Sequence, residues 1–230
     1  IWYRCNNDGH KLIEGNYKDG KRDGKWTTWN NNQVVIEISI FSDGKQTGPS
    51  ARWDNDGRKM YEGEFKDGRR HGYWVNWNKN SVKISSGEYK DDKMTGHWMF
   101  WDENGVKQYE GEYLDNKKHG HWVNWGKDGK RIDEGDYINE KKYGFWKIYE
   151  KGIKRAEVEY KDDVVHGRYI EFDKDGQKFR ESTYKDGAKN GQSYEWYKGK
   201  LVKNEVYRDG VLAELWFGLY NPRGTNNTAE

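Results

Sequence analysis

A period of 24 residues runs through almost the whole chain and constrains what it can fold into more than any other feature. One aromatic marks it, at Tyr17, Phe41, Phe65, Tyr89, Tyr113, Tyr137, Tyr160, Tyr184 and Tyr207, in steps of 24, 24, 24, 24, 24, 23, 24 and 23. A glycine marks it again, at Gly24, Gly48, Gly72, Gly96, Gly120, Gly144, Gly167 and Gly191. All 13 Trp obey it. Trp26, Trp74, Trp98, Trp122 and Trp146 stand two residues after a marker glycine, and Trp2 and Trp216 extend that register. Trp29, Trp53, Trp77, Trp101, Trp125 and Trp196 stand five after it. Self-similarity of this kind means that each repeat is a supersecondary unit burying its apolar face against its neighbours.

Each repeat reads as two strands. Turn dipeptides occur twice per repeat, as at Asp67-Gly68 and Asp56-Gly57, and favour tight hairpins because Asp, Asn and Gly tolerate positive φ. The segments between them have strand length, and Tyr61–Phe65 alternates Tyr, Gly and Phe with Glu, which is strand period. No segment has helical periodicity with caps. The expected fold is therefore all-β, an elongated, twisted antiparallel β-meander of about nine repeats and about eighteen strands. At roughly 4.8 Å per strand such a sheet would be about 85 Å long. A propeller is the rival architecture, but the repeats do not alternate in pairs as blades built from two would.

Two details follow from this meander. Gly15, Gly63, Gly87, Gly111 and Gly135 would weaken their strands unless a Trp from the adjacent strand covers them. Trp74 and Trp77 are three apart, so either both faces carry aromatics or a bulge re-aims one ring.

Composition supports a thin, aromatic-glued sheet. Hydrophobic residues are 33%, charged residues 35% and mean hydropathy −1.33, values that suit disorder. Disordered chains are poor in aromatics, however, and this one has 13 Trp, 17 Tyr and 7 Phe. No run approaches the ~20 apolar residues of a membrane-spanning helix. The single Cys5 excludes an intramolecular disulfide and a Cys-rich zinc module. Net charge is +2, from 41 basic and 39 acidic side chains, which excludes a uniformly basic nucleic-acid binder. Residues 1–220 read as one continuous array, divergent after residue 150, and 221–230 as a loose tail. Trp2 and Asp8-Gly9 belong to the second half of a repeat, so the protein is expected to extend toward its N-terminus or to open on a half-repeat cap.

The stretch Gly63–Trp74 (Gly-Glu-Phe-Lys-Asp-Gly-Arg-Arg-His-Gly-Tyr-Trp) resembles the MORN repeat, specifically its bacterial variant form. The pattern Glu-Gly-x-Tyr-x-x-Gly-x-x-x-Gly-x-Trp is strongest from Lys11 to Tyr149. It weakens where Ser39 and Ser50 replace Gly and Trp, and again where Val158, Tyr169, Ser182 and Ser193 occupy those slots. The resemblance implies a β-hairpin array with a groove, acting as a scaffold or protein-docking surface. Some such proteins are proposed to bind anionic lipid, and variant-repeat proteins are often labelled antitoxins, which implies neutralisation of a toxin partner.

Enzyme chemistry is not indicated. The sequence contains no Gly-x-Ser-x-Gly, phosphate loop, dinucleotide fingerprint or His-Glu-x-x-His. The pairs Glu62/Glu64, Glu110/Glu112 and Glu157/Glu159 recur with the repeat and read as a solvated strand face rather than an acid and a base in different environments. His119 and His121 share a face if their strand is regular, and His97 lies two strands away, too far to share a zinc ion. Neither cofactor nor metal is therefore expected.

Three candidate surfaces remain. Hairpin tips carry Lys21, Arg22, Arg69, Arg70, Lys117, Lys118, Lys141 and Lys142, a basic stripe for an anionic membrane, glycan or acidic protein, or else a charged rim that prevents aggregation. Trp29, Trp53, Trp77, Trp101 and Trp125 form a row that could stack sugars, provided several rings stand exposed side by side. The apolar C-terminal run containing Leu212, Leu215, Trp216 and Phe217 is an end cap or a docking strand. The function expected is a non-enzymatic scaffold for a protein partner, with a carbohydrate-binding module as the alternative.

Overall fold

A computed structural model describes residues 1–218. The tail 221–230 and the end of the C-terminal apolar run lie outside the described residues. The chain divides into two compact parts, Ile1–Lys117 and Lys118–Glu230, each taken on its own below.

The first part is a meander of β1 (Trp2–Cys5), β2 (Lys11–Lys18), β3 (Lys21–Trp29), β4 (Val35–Ser42), β5 (Lys45–Gln46), β6 (Gly48–Trp53), β7 (Lys59–Lys66), β8 (Arg69–Trp77), β9 (Lys83–Lys90), β10 (Lys93–Trp101) and β11 (Lys107–Leu114). The strand β12 (Lys117–Trp125) begins at the boundary. The second part continues with β13 (Arg131–Ile138), β14 (Lys141–Glu150), β15 (Ile153–Lys161), β16 (Val164–Phe172), β17 (Lys178–Lys185), β18 (Ala188–Tyr197), β19 (Lys200–Arg208) and β20 (Val211–Phe217). Within each part successive strands pair antiparallel, except that β5 and β6 both pair with β4, and the described residues contain no helix. Twenty strands stand where about eighteen are expected. One cause is that the strand of the second repeat is interrupted at Thr47 and counts as β5 and β6.

The tip turns are two-residue hairpins with positive φ at both positions, as at Asp19 (49°) and Gly20 (75°), the geometry that matches strand twist. Four of them use a non-glycine second residue: Asp92, Asn116, Glu140 and Asp163, at φ of 68–70°. Three of those side chains hold the neighbouring hairpin. Asp92 accepts from the Arg70 amide at 3.0 Å, Asn116 from Met94 at 2.7 Å and Asp163 from Lys142 at 2.8 Å. The amides of Asp92, Asn116 and Asp163 donate back to the carbonyls of Arg70, Met94 and Lys142.

The marker glycine makes a bulge. In the β7–β8 pair Glu62 faces Val75 and Glu64 faces His71, so Gly72-Tyr73-Trp74 arches opposite the single residue Gly63. Gly72 has a φ of 67°, which an L side chain adopts only with strain. The arch lays Trp74 over Gly63, where a Cβ would fall inside the indole ring. Gly15, Gly87 and Gly135 lie in the same way under Trp26, Trp98 and Trp146. The aromatic cover expected from the sequence is thus present, and the bulge is what re-aims the ring.

The core is the row of these rings. Trp26 and Trp74 are 4% exposed, Trp98 1%, and Trp122 and Trp146 0%. Each meets the marker aromatics edge-on. Phe65–Trp74 centroids are 5.1 Å apart at 84°, Tyr89–Trp98 4.9 Å at 78° and Tyr137–Trp146 5.0 Å at 87°. Burying one such side chain contributes about 4–6 kcal/mol by area, before entropy.

Candidate interaction surface

The bulge that turns each Trp inward turns the residue before it outward. Between marker glycine and core slot stand Lys25, Pro49, Tyr73 and His97 in the first part and His121, Phe145, Arg168 and Gln192 in the second, and all are exposed. Tyr73 is 50% exposed and Phe145 46%. Beside Phe145, Tyr143 is 48% exposed, and the Arg168 guanidinium lies 5.1 Å from the Phe145 ring centroid. In the first part a shallow groove of about 360 Å³ runs between Pro49 and Tyr73, lined also by Ile38, Ala51, Val75 and Glu62. This row is a feature that reading the sequence missed. Its signal was the position x in Gly-x-Trp, whose residue type changes from repeat to repeat while its neighbours hold.

The basic tips are divided by the fold. At the first position the side chains lean on the carboxylates of the next hairpin tip: Lys21 on Asp43 at 2.6 Å and Lys141 on Asp162 at 3.9 Å. Lys93, in the same slot, reaches Asp115 at 3.5 Å. The Lys21 ammonium holds the Asp43 carboxyl below the ordinary carboxylate range. At the second position the cations fold onto the aromatic row. Arg22 lies 4.4 Å from the Trp26 ring, Arg70 3.9 Å from Tyr89, Lys118 4.3 Å from Trp122 and Lys142 3.9 Å from Trp146. Burial pushes the Lys118 ammonium down. Arg69 and Lys117 take the outward position at their tips, and both are exposed. Six of the eight side chains expected to form one stripe therefore bridge tips or cap rings, while Arg69 and Lys117 stay exposed.

Trp29, Trp53, Trp77, Trp101 and Trp125 are half-buried. Lysines of adjoining strands reach over several of these rings. Lys59 lies 5.9 Å from Trp53 and 5.4 Å from Trp77, and Lys83 lies 5.1 Å from Trp101. These lysines compete with a stacked sugar for the ring faces they cover.

The last hairpin departs from the others. Where Glu214 replaces the marker glycine, the register slips by only one residue between Val206 and Tyr207, and the arch does not form. Trp216 consequently stays 51% exposed, with Leu212 at 46%, Leu215 at 47% and Phe217 at 67%. The described side chains of β20 are exposed on both faces, whereas a cap has a polar outer face.

The recurring carboxylates pair locally. Lys11–Glu14, Lys59–Glu62, Lys107–Glu110, Arg131–Glu134, Lys154–Glu157 and Lys178–Glu181 are ion pairs three residues apart, at 2.6–2.9 Å. Glu134 is 6% exposed and accepts from Tyr149 at 2.8 Å, Arg131 at 2.9 Å and Lys147 at 3.1 Å. Burial raises its pKa, but the Tyr149 and Lys147 hydrogen bonds with the Arg131 charge outweigh that and leave it lowered. His119 and His121 would share a face only in a regular strand, and Gly120 (φ 62°) makes the strand irregular between them. His119 is half-buried, while His121 is exposed and its Nδ1 lies 3.0 Å from Asp136. His97 lies 3.5 Å from Glu110. Among the described residues no cluster of three or more His, Cys, Asp or Glu has the geometry to hold a metal ion.

The MORN repeat family matches residues 14–25, 61–73 and 109–121. Each match spans a Glu-Gly or Tyr-Glu-Gly strand start, the tip turn and the marker glycine. No curated protein matches the chain in sequence. Among solved structures, one titled "Crystal Structure of TcdB2-TccC3-TEV" is similar over 88% of this chain and 12% of that one, at 12% identity and a TM-score of 0.21. The chain thus spans about one eighth of that relative. It carries MORN repeats at the three matched positions, and the meander around them is consistent with a MORN repeat protein.

Proposed function

We propose that this MORN-repeat chain is a non-enzymatic scaffold that docks a protein partner on the residues that the bulges of each part hold outward. The observation that carries this reading is the contrast between slots one residue apart. In most repeats the core slot is a buried Trp, while the slot beside it is exposed and holds Lys25, Pro49, Tyr73, His97, His121, Phe145, Arg168 or Gln192. A frame that holds while an exposed row varies is how repeat arrays present a sequence-specific face. Tyr73 beside its groove and the exposed Phe145 ring are aromatic anchors of the kind that dominate protein interfaces. MORN repeats commonly serve as protein- or membrane-interaction scaffolds. Most tip cations lean on carboxylates or rings, which favours the protein over the membrane.

The test places a photo-crosslinking amino acid at position 73, 145 or 67 and irradiates the protein in its native cells. The reading expects one stoichiometric protein captured from 73 or 145 and not from the Asp67 tip. It also expects that capture to be lost on Tyr73→Ala/Phe145→Ala with the fold unchanged. Capture from the tip alone, or none from either row position, would overturn it.

A further inference from the structure

Three hairpins have no Trp in the core slot; one holds Tyr169 there and two hold a serine, and the chain treats those two differently. In the first part Ser50 takes the Trp slot and Ser39 the glycine slot beneath it, each 3% exposed. Gln46 plugs that gap, its Nε2 donating to Ser39 Oγ and Ser50 Oγ, both at 3.1 Å. In the second part Ser193 takes the Trp slot and Ser182 the glycine slot, 4% and 2% exposed, with their hydroxyls 2.8 Å apart. Here Lys189 stands where Gln46 stands in the other hairpin, and it reaches over Tyr207 at 4.8 Å instead of bonding the serines. A cavity of about 360 Å³ remains, lined by Tyr169, Tyr184, Ser182, Lys189, Arg180 and Val165 among others.

The intact hairpin of Trp146 shows what this frame is built to hold. There an indole lies over Gly135, between Tyr137 at 5.0 Å and Tyr160 at 6.4 Å, under the Lys142 ammonium at 3.9 Å. The vacated hairpin keeps the small residue beneath, a tyrosine wall and the cation. Tyr184 meets Tyr169 at 5.9 Å on one side, and Tyr169 itself is a smaller ring in the Trp slot of the hairpin before. Arg180 is neutralised by Glu171 at 3.2 Å and Glu195 at 3.7 Å. Lys189 makes no ion pair among the described residues, and its ammonium, 4.8 Å from the Tyr207 ring and near enough to Glu205 to help lower that carboxyl, already faces one π system at the rim of the cavity. Packed interiors that lose a large side chain without collapsing leave a site for a molecule of the missing shape.

We propose that this cavity binds an electron-rich planar aromatic ring of indole size, lodged where the other hairpins keep their own Trp. The ring could arrive as a free small molecule or as a Trp side chain of another protein. The proposal is independent of the docking row, which lies on the outward slots.

The probe is 5-fluoroindole, titrated into the full chain and followed by ¹⁹F NMR, with the N-methylpyridinium ion as a cationic ring that Lys189 should repel. Saturable binding with a Kd of about 1 mM or tighter is expected, the range open to a fragment of this size. Two closures of the site should weaken binding at least tenfold. Ser182→Gly/Ser193→Trp rebuilds the repeat's own indole. Lys189→Gln recreates the plug of the first part and covers the case in which the double variant fails to fold. N-acetyl-tryptophanamide separates the sources: if it competes, a Trp side chain fits, and if only free indole binds, the site takes a small molecule. No saturable binding, equal binding of the pyridinium ion, or binding undiminished in Lys189→Gln and in a folded double variant would overturn the proposal.

Discussion

Single atoms decide whether a repeat closes. Gly87 lies so close beneath Trp98 that one added methyl would enter the indole ring. Gly87→Ala should therefore cost about 1–3 kcal/mol, the range of overpacked cores, in urea unfolding. Trp98→Ala should cost about 3–5 kcal/mol. This contact was legible before the structure, because a strand glycine opposite a Trp has one good physical explanation. The surroundings of Glu134 were not, because local spacing does not reveal that Tyr149 and Lys147 converge on it from the next strand. Its lowered pKa has a consequence of definite sign. A carboxyl whose folded pKa lies below its unfolded value stabilises fully above the unfolded value, near 4.5, and loses that contribution as pH falls through the folded one. Glu134→Gln should cost about 1.5–3 kcal/mol at neutral pH and much less at acid pH, so the stability gap to the parent should close below about pH 4.5. A gap independent of pH would show that shape rather than charge is what Glu134 supplies.

At the scale of the element, the hairpin tip and the bulge carry the fold. Asp92 occupies a positive-φ turn position that suits glycine, yet its side chain ties down the Arg70 amide. Asp92→Gly relieves the backbone and loses the bond, so it should be near neutral. Asp92→Ala keeps the strained φ and loses the bond, and should cost about 1–3 kcal/mol by thermal unfolding. Equal effects of the two would mean that the positive φ at residue 92 costs nothing. Strand length and hairpin turns followed from Asp-Gly spacing and alternation. The bulge did not, because a glycine in a strand signals only weakness or close approach, and the positive φ at Gly72 is a property of the folded arch. Without the bulge the faces of Trp74 and Trp77 stayed undecided, and so did the exposure of Tyr73. The different settings of the tip cations were hidden for a related reason. Adjacent pairs such as Arg69-Arg70 look equivalent in sequence, but the pleat sends one outward and folds the other onto Tyr89. Any test of anionic-surface binding is therefore cleaner with Arg69→Glu alone, since Arg70 also caps a ring.

Across the molecule, an array stabilised by near neighbours should not be equally stable along its length. Within the second part, the β13–β14 hairpin closes on a fully buried Trp146, whereas the described residues of β20 are all exposed. Amide hydrogen exchange should be slowest in β13 and β14 and fastest in β19 and β20, and uniform protection would contradict the local account. The same view separates frame from face. The spine of rings determines whether the chain folds, and the outward slots are left to vary without cost to it.

That separation is tested most directly by one set of thermal unfolding curves. Lys25→Ala, Tyr73→Ala, His121→Ala and Phe145→Ala should each leave the midpoint within a few degrees of the parent, as exposed substitutions do, while Trp98→Ala and Trp146→Ala lower it several-fold more. If the outward substitutions destabilise as much as the spine ones, the exposed row is part of the core and cannot serve as a free docking face.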